Sequence, residues 1–162
     1  MNKSSDVRRR RRARELAVQM LYSLDTRPDQ DLEECLGLFM SESENGPFPE
    51  SGAADTEYML LLVRGVWKRR LEIDDMMRRI VTGWRPERMV AVDRSVLRLS
   101  IFEGFLEEKV PHAVAISEAV ELARAFGTED SGRFVNGVLA KVLKHVTGEK
   151  NAAASAEIST ER

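Results

Sequence analysis

Cysteine is nearly absent: Cys35 stands alone among 162 residues. One thiol closes no internal disulfide and gives no metal-binding spacing. A reducing, cytoplasmic compartment is therefore expected. Histidine is almost as scarce. His112 and His145 lie far apart, with no carboxylate or cysteine at ligand spacing. No apolar run approaches the roughly 18 residues that a membrane span needs, so no membrane partner is expected. An arginine-rich start followed by Leu16–Leu24 has the outline of an export signal. However, Glu15, Gln19 and Tyr22 interrupt the apolar stretch, and no small-residue cleavage site follows. Also missing are a GxSxG elbow, a GxGxxG turn and a Walker-type loop. Phe126-Gly127-Thr128 reads as a helix end, and Ser131 has no base near it in sequence. Glu118 and Glu121 share a helix face and read as solvated acids. The chain is thus expected to be no enzyme and to carry neither metal nor cofactor.

What is present is a helical pattern. Hydrophobic residues make up 43% and charged residues 32% of the chain, enough apolar material for a real core. Apolar positions recur with helical spacing, and no segment alternates convincingly as a strand would. The spacing predicts seven helices, at about 7–24, 29–40, 54–70, 73–81, 87–107, 111–127 and 128–146. Pro28 lies near the start of the second, and Asp55 is a plausible cap for the third. Ser41–Ala53 reads as a loop because it holds two prolines and two glycines. Gly83 ends the fourth helix. The fifth is apolar nearly all round, with a kink expected near Val92, and belongs at the centre of a bundle. Gly127 ends the sixth, Thr128 caps the seventh, and Glu129 and Asp130 suit its first turn. Residues 147–162 read as a disordered tail. The expected architecture is all-α, a single domain over about 7–146 with two three-helix groups packed into one compact bundle.

Charge is badly distributed. Residues 1–14 hold Lys3 and the arginines Arg8, Arg9, Arg10, Arg11, Arg12 and Arg14 against the single acid Asp6. The whole chain nevertheless has a net charge of −2, so the remainder is acidic by a comparable amount. Five consecutive arginines repel one another and would fray an isolated helix, and an anionic partner relieves that repulsion. The run admits three readings: a solvated terminus, a nuclear-type address, or a nucleic-acid arm continuous with the first helix.

Helical angles sort the aromatics. Leu16, Met20 and Leu24 define the core stripe of the first helix, and Tyr22 falls about opposite them, on the meridian of Arg8, Arg11, Glu15 and Val18. A tyrosine there can stack on a base while guanidiniums hold phosphates, or it can be covered by another helix. On the last helix, Val135, Val138, Leu139, Val142 and Val146 face inward. Phe134 sits at the margin beside Asp130, Gly137 and Lys141, either capped by a neighbouring helix or left for a partner. Phe126 reads as core. Asp93, Ser100 and Gly104 lie on one line of the fifth helix, where small residues allow close backbone approach.

Three blocks together resemble the NusB family: Arg10–Ser23 (RRRARELAVQMLYS), Val92–Glu103 (VDRSVLRLSIFE) and Val114–Leu139 (VAISEAVELARAFGTEDSGRFVNGVL). Their order and spacing match over roughly 8–146. The resemblance implies a seven-helix all-α fold and a transcription antitermination factor without catalysis. On that reading the protein binds single-stranded boxA RNA of rRNA leader transcripts together with NusE, a small-subunit ribosomal protein. It meets other Nus factors and RNA polymerase indirectly. The resemblance places Arg8, Arg9, Arg10, Arg11, Arg12, Arg14, Phe126, Asp130 and Phe134 on the RNA surface, and Tyr22 and Asp93 at or near the partner contacts. Phe102 departs from the family pattern, standing where a tyrosine is often seen, and the arginine run is longer than usual. The same module begins some rRNA cytosine methyltransferases, which carry a following cofactor-binding domain that is not expected here. The rival reading is a homodimeric helical interaction module with only nonspecific RNA affinity.

Overall fold

The structure, a computed structural model, describes residues 3–27, 29–45 and 53–160. Among them it forms six α-helices and no strand. Helix α1 spans Lys3–Thr26 and buries Ala13, Leu16, Ala17, Met20 and Leu24. The arginine arm is therefore helical from Lys3 onward. Helix α2, Leu32–Asn45, begins where the Asp31 carboxylate accepts the Glu34 N–H at 3.0 Å. It starts three residues later than the expected 29, and Pro28 lies outside the described residues. The helix continues through Ser41–Asn45, which had been expected to be loop. That stretch holds no proline or glycine, so nothing stops propagation. Residues 46–52 of the predicted loop lie outside the described residues.

The expected third and fourth helices are one, α3, Ala53–Ile80. This fusion is why six helices replace seven. No breaker separates Arg70 from Ile73, and Arg69 bridges the junction by donating to Glu72 at 2.8 and 2.9 Å. Asp55 is not a cap but lies within the first turn. It is buried, and its Oδ1 has no hydrogen-bond partner among the described residues. Gly83, at φ +75°, makes the left-handed turn that reverses the chain after α3. A 3-10 turn follows at Pro86–Arg88, and extended Val90 (ψ 126°) then starts α4, Ala91–Ile101. The predicted long fifth helix thus breaks at Met89–Val90, just before the kink expected near Val92.

Helix α4 runs into a π turn, Phe102–Leu106. Every residue from Ser95 to Phe105 is buried. The all-round apolar pattern of this segment is what its central position requires. Its small residues serve internal packing. A Cβ on Gly104 would meet Ala115 at 2.3 Å, and Ser100 Oγ donates to the Ala115 carbonyl at 3.1 Å. Against α3, the Phe102 ring fills the space over Gly65, where a Cβ would lie 2.0 Å from Cζ.

Helix α5 spans His112–Phe126 and α6 spans Ser131–Thr160. Cross-contacts fix the topology. Arg14 meets Glu103 while Asp25 meets Arg94, so α1 and α4 are antiparallel. Tyr58 meets Glu103 while Asp74 meets Arg98, so α3 and α4 are antiparallel too. Helices α1 and α3 therefore run side by side in the same direction. Helices α5 and α6 pack on the other side of α4. With α1 and α3 on one side of α4 and α5 and α6 on the other, the helices group around α4.

Helix α6 also corrects two expectations. Its entry is a reciprocal turn and not a Thr128 cap. Ser131 Oγ accepts the Thr128 N–H at 2.9 Å, while the Thr128 carbonyl accepts the Ser131 N–H at 3.2 Å. Glu129 and Asp130 accordingly precede the helix. Beyond Val146 the helix continues to Thr160 where disorder had been expected. Ala152, Ala153, Ala154 and Ala156 are strong helix formers, and Lys150 ties the extension to Glu108 at 3.0 Å.

Candidate nucleic-acid interface

Six like charges within two turns of α1 repel one another, and the partners of α1 supply the opposing charge. Arg14 is buried. Its Nε donates to both Glu103 oxygens at 2.9 Å, and a further nitrogen lies 2.8 Å from Oε1. Glu103 is itself buried and also accepts the Tyr58 hydroxyl. Glu118 of α5 accepts from Arg11 at 3.0 and 3.2 Å and lies 3.7 Å from Arg14. The Arg10 guanidinium lies over the Tyr58 ring, 3.7 Å from its centroid. Arg12 pairs with Glu15 at 3.1 Å. The chain Arg11–Glu118–Arg14–Glu103–Tyr58–Arg10 thus ties the arm to α5, α4 and α3.

Charge follows geometry. Burial disfavours the Arg14 cation, but the hydrogen bonds and charge of Glu103 outweigh it, and its pKa is raised. The Arg11 pKa is raised chiefly by its hydrogen bond to Glu118. Burial, with Glu103 as partner, pushes the Tyr58 hydroxyl well above its usual value. Arg14 is therefore not available to RNA, contrary to the sequence expectation. It lies on the inward face with Ala13 and Ala17 and serves to anchor the arm. Arg8 and Arg9 are exposed and make no ion pair among the described residues.

Beside the arm lies an open cleft of about 850 Å³, lined by Arg9, Arg10, Asp55, Tyr58 and Lys109 among others. Cations and carboxylates meet there in similar number, so the cleft is no simple anion trap.

The aromatics fall where a partner can reach them. Tyr22 is 44% exposed, as its meridian requires. Phe134 is 43% exposed, so no helix encloses it among the described residues. Phe126 is 36% exposed and not core, because α5 ends at this residue. Asp130 is exposed at the head of α6. Asp93 departs from its expected partner role: it is buried in the first turn of α4, with Oδ1 unpartnered among the described residues. Helices α1 and α5 both run against α4. Tyr22 and Phe126 therefore lie toward the same end of the bundle, about 16 and 12 Å of helix rise beyond the Arg11–Glu118 pair.

Sequence reasoning missed Glu118, Glu103 and Tyr58. Glu118, read as a solvated acid, is buried under two arginines. Glu103 was visible as an acid within an apolar run, which calls for a buried cation.

Known proteins fit this geometry. A family model described as the NusB family matches residues 11–144. A transcription antitermination protein NusB from Symbiobacterium thermophilum is 43% identical over 147 residues, covering 88% of this chain and 94% of the relative. One from Desulforapulum autotrophicum is 43% identical over 144 residues, covering 87% and 97%. Among solved structures, T. maritima NusB superposes with a TM-score of 0.72 at 36% identity, over 83% of this chain and 90% of that one. A crystal structure of antitermination factors NusB and NusE in complex with dsRNA gives a TM-score of 0.72 at 27% identity, over 85% and 98%. With its anchored arginine helix, its central α4 and this likeness over most of its length, the chain belongs to the NusB family.

Proposed function

We propose that this protein is a transcription antitermination factor that binds single-stranded boxA RNA of rRNA leader transcripts together with NusE, without catalysis of its own. The observation that carries the reading is the arm itself, an arginine-rich helix held in place by two buried glutamates, with Arg8 and Arg9 exposed and without an ion pair among the described residues. Such a surface attracts phosphates at long range and presents them to a rigid frame. The exposed rings of Tyr22, Phe126 and Phe134 offer faces on which unstacked bases can stack, and Asp130 offers an acceptor for base amino groups. The relatives' names and the solved complex of NusB and NusE with dsRNA support the coarser part of this reading, an RNA-binding antitermination factor that works with NusE.

The test is binding of labelled boxA RNA against a scrambled RNA of equal length, with and without NusE, across a salt series. Preference for boxA that tightens with NusE is the expected result. With Arg14 sealed away, five arginines at about 0.7 each limit the arm's share of the slope of log K on log salt to about −3.5. Equal binding to both RNAs, unchanged by NusE, would overturn the reading.

A further inference from the structure

The arginine run Arg8–Arg14 is not the chain's only acid-free basic stretch. From Ser131 to Gly148 there is no aspartate or glutamate, while Arg133, Lys141, Lys144 and His145 all fall within it. This is unusual in a chain with 27 acids. Helical geometry gathers the charges on one side. Lys141 stands within about 20° of Phe134 around α6, and Lys144 about 80° away, on the solvent side. Arg133, Phe134, Lys141 and Lys144 are all exposed, and none of the three cations makes an ion pair among the described residues. His145 is committed to Glu149 at 3.0 Å and Lys150 to Glu108, so the free charges end at Lys144. Glu129 and Asp130 bound the stripe at its head. Gly137 lies between Phe134 and Lys141, and a Cβ added there would meet nothing within 4 Å. The surface between ring and lysines is thus open and low.

We propose that this face of α6 is a phosphate track for single-stranded RNA, carrying the nucleotides that flank the element stacked on Phe134. The inference rests on the RNA-binding reading above and extends it. A base on the Phe134 ring leaves its adjoining phosphates free to run over Gly137. Lys141 and Lys144 wait about 10 and 15 Å farther along the helix. Flexible ammonium groups suit this task, because they neutralise phosphate without demanding a fixed geometry or a given base.

The experiment compares the full chain, with NusE, against the variant Lys141→Gln/Lys144→Gln. Both bind boxA RNA alone and the same RNA lengthened by several nucleotides on each side. Removing charge from two exposed positions leaves the fold intact, which circular dichroism and thermal melting check. For the parent, the longer RNA is expected to steepen the salt slope by about 1.4, roughly sevenfold in affinity over a fourfold change in salt. The variant is expected to lose that increment and to bind the short RNA as the parent does. A variant that keeps the increment overturns the track and leaves the acid-free face to a protein partner. An equal loss on both RNAs also overturns it, since the lysines would then act under the recognised element or as a general field. Failure of the underlying reading shows separately, as a parent that does not prefer boxA to the scrambled sequence.

Discussion

Arg14 and Arg9 belong to the same run and meet opposite fates. Arg14 lies inside the bundle, gripped by Glu103 and close to Glu118, whereas Arg9 stands in solvent at the rim of a cleft. Composition treats them alike, but helical angle does not. Position 14 falls with Ala13 and Ala17 on the buried face, and positions 8 and 9 precede the first contact of α1 with the core. A basic run on an amphipathic helix is therefore two devices. One end builds the protein, and the other is left for a partner.

The building end is the easier to break. Glu103→Gln would leave Arg14 as a buried cation with only Glu118 at 3.7 Å. Removing one member of a buried pair costs about 3–5 kcal/mol. Urea unfolding should show a loss of that size, together with weaker RNA binding because the arm loses its seat. A loss under about 1 kcal/mol would mean that Arg14 is no anchor, and that its burial reflects packing of its stem alone.

How much of this division was legible in sequence depends on distance along the chain. Periodicity exposed the helices, the central position of α4 and the outward meridian of Tyr22, because each rests on residues within a few turns. The ion-pair chain rests on contacts across 89 and 107 residues, and no local pattern says which of six arginines a distant glutamate selects. The second buried network was equally hidden. Arg98 joins Asp74 at 2.7 Å and Asp25 at 3.1 Å, although all three look like ordinary surface charges in the sequence. The fusion of two helices into α3 turned on the absence of a breaker between Arg70 and Ile73, across which Met59, Leu62, Val66, Ile73 and Met77 keep one buried face. Phe126 was misread because periodicity assigns a face but does not see that the neighbouring chain has turned away at Gly127.

Tyr58 stands between the two regimes and gives a prediction of middle size. Its ring carries Arg10 from the exposed side, and its hydroxyl reaches Glu103 in the buried side. Burial and the adjacent carboxylate raise its pKa above the unfolded value near 10. A group whose folded pKa is raised contributes stability in full below its unfolded pKa and loses it as pH rises beyond that point. Stability should therefore fall above pH about 10, where the unfolded chain ionises this tyrosine while the fold holds it protonated beside Glu103. Tyr58→Phe should cost some stability at neutral pH through the lost hydrogen bond and flatten this alkaline limb, both visible in thermal melts from pH 7 to 11. An unchanged limb would mean that the hydroxyl is solvated and that the arm has no connection to Glu103 through Tyr58.

The partner end should show almost nothing in the same stability assays. Arg8→Gln/Arg9→Gln removes two exposed charges that have no ion pair among the described residues, and surface changes of this kind stay within about 0.5 kcal/mol. Relief of repulsion along the run can even make the sign favourable, since like charges on successive turns disfavour the helix. The same variant should lower the salt slope of RNA binding by about 1.4 while leaving the preference for boxA over scrambled RNA intact, because phosphate contacts position a strand without reading it. Stability and binding would then fall together at the buried end of the arginine run and come apart at its exposed end. If the double variant instead loses sequence preference, the first arginines read bases directly, and the split between an anchoring half and an attracting half would have to move toward the N-terminus of α1.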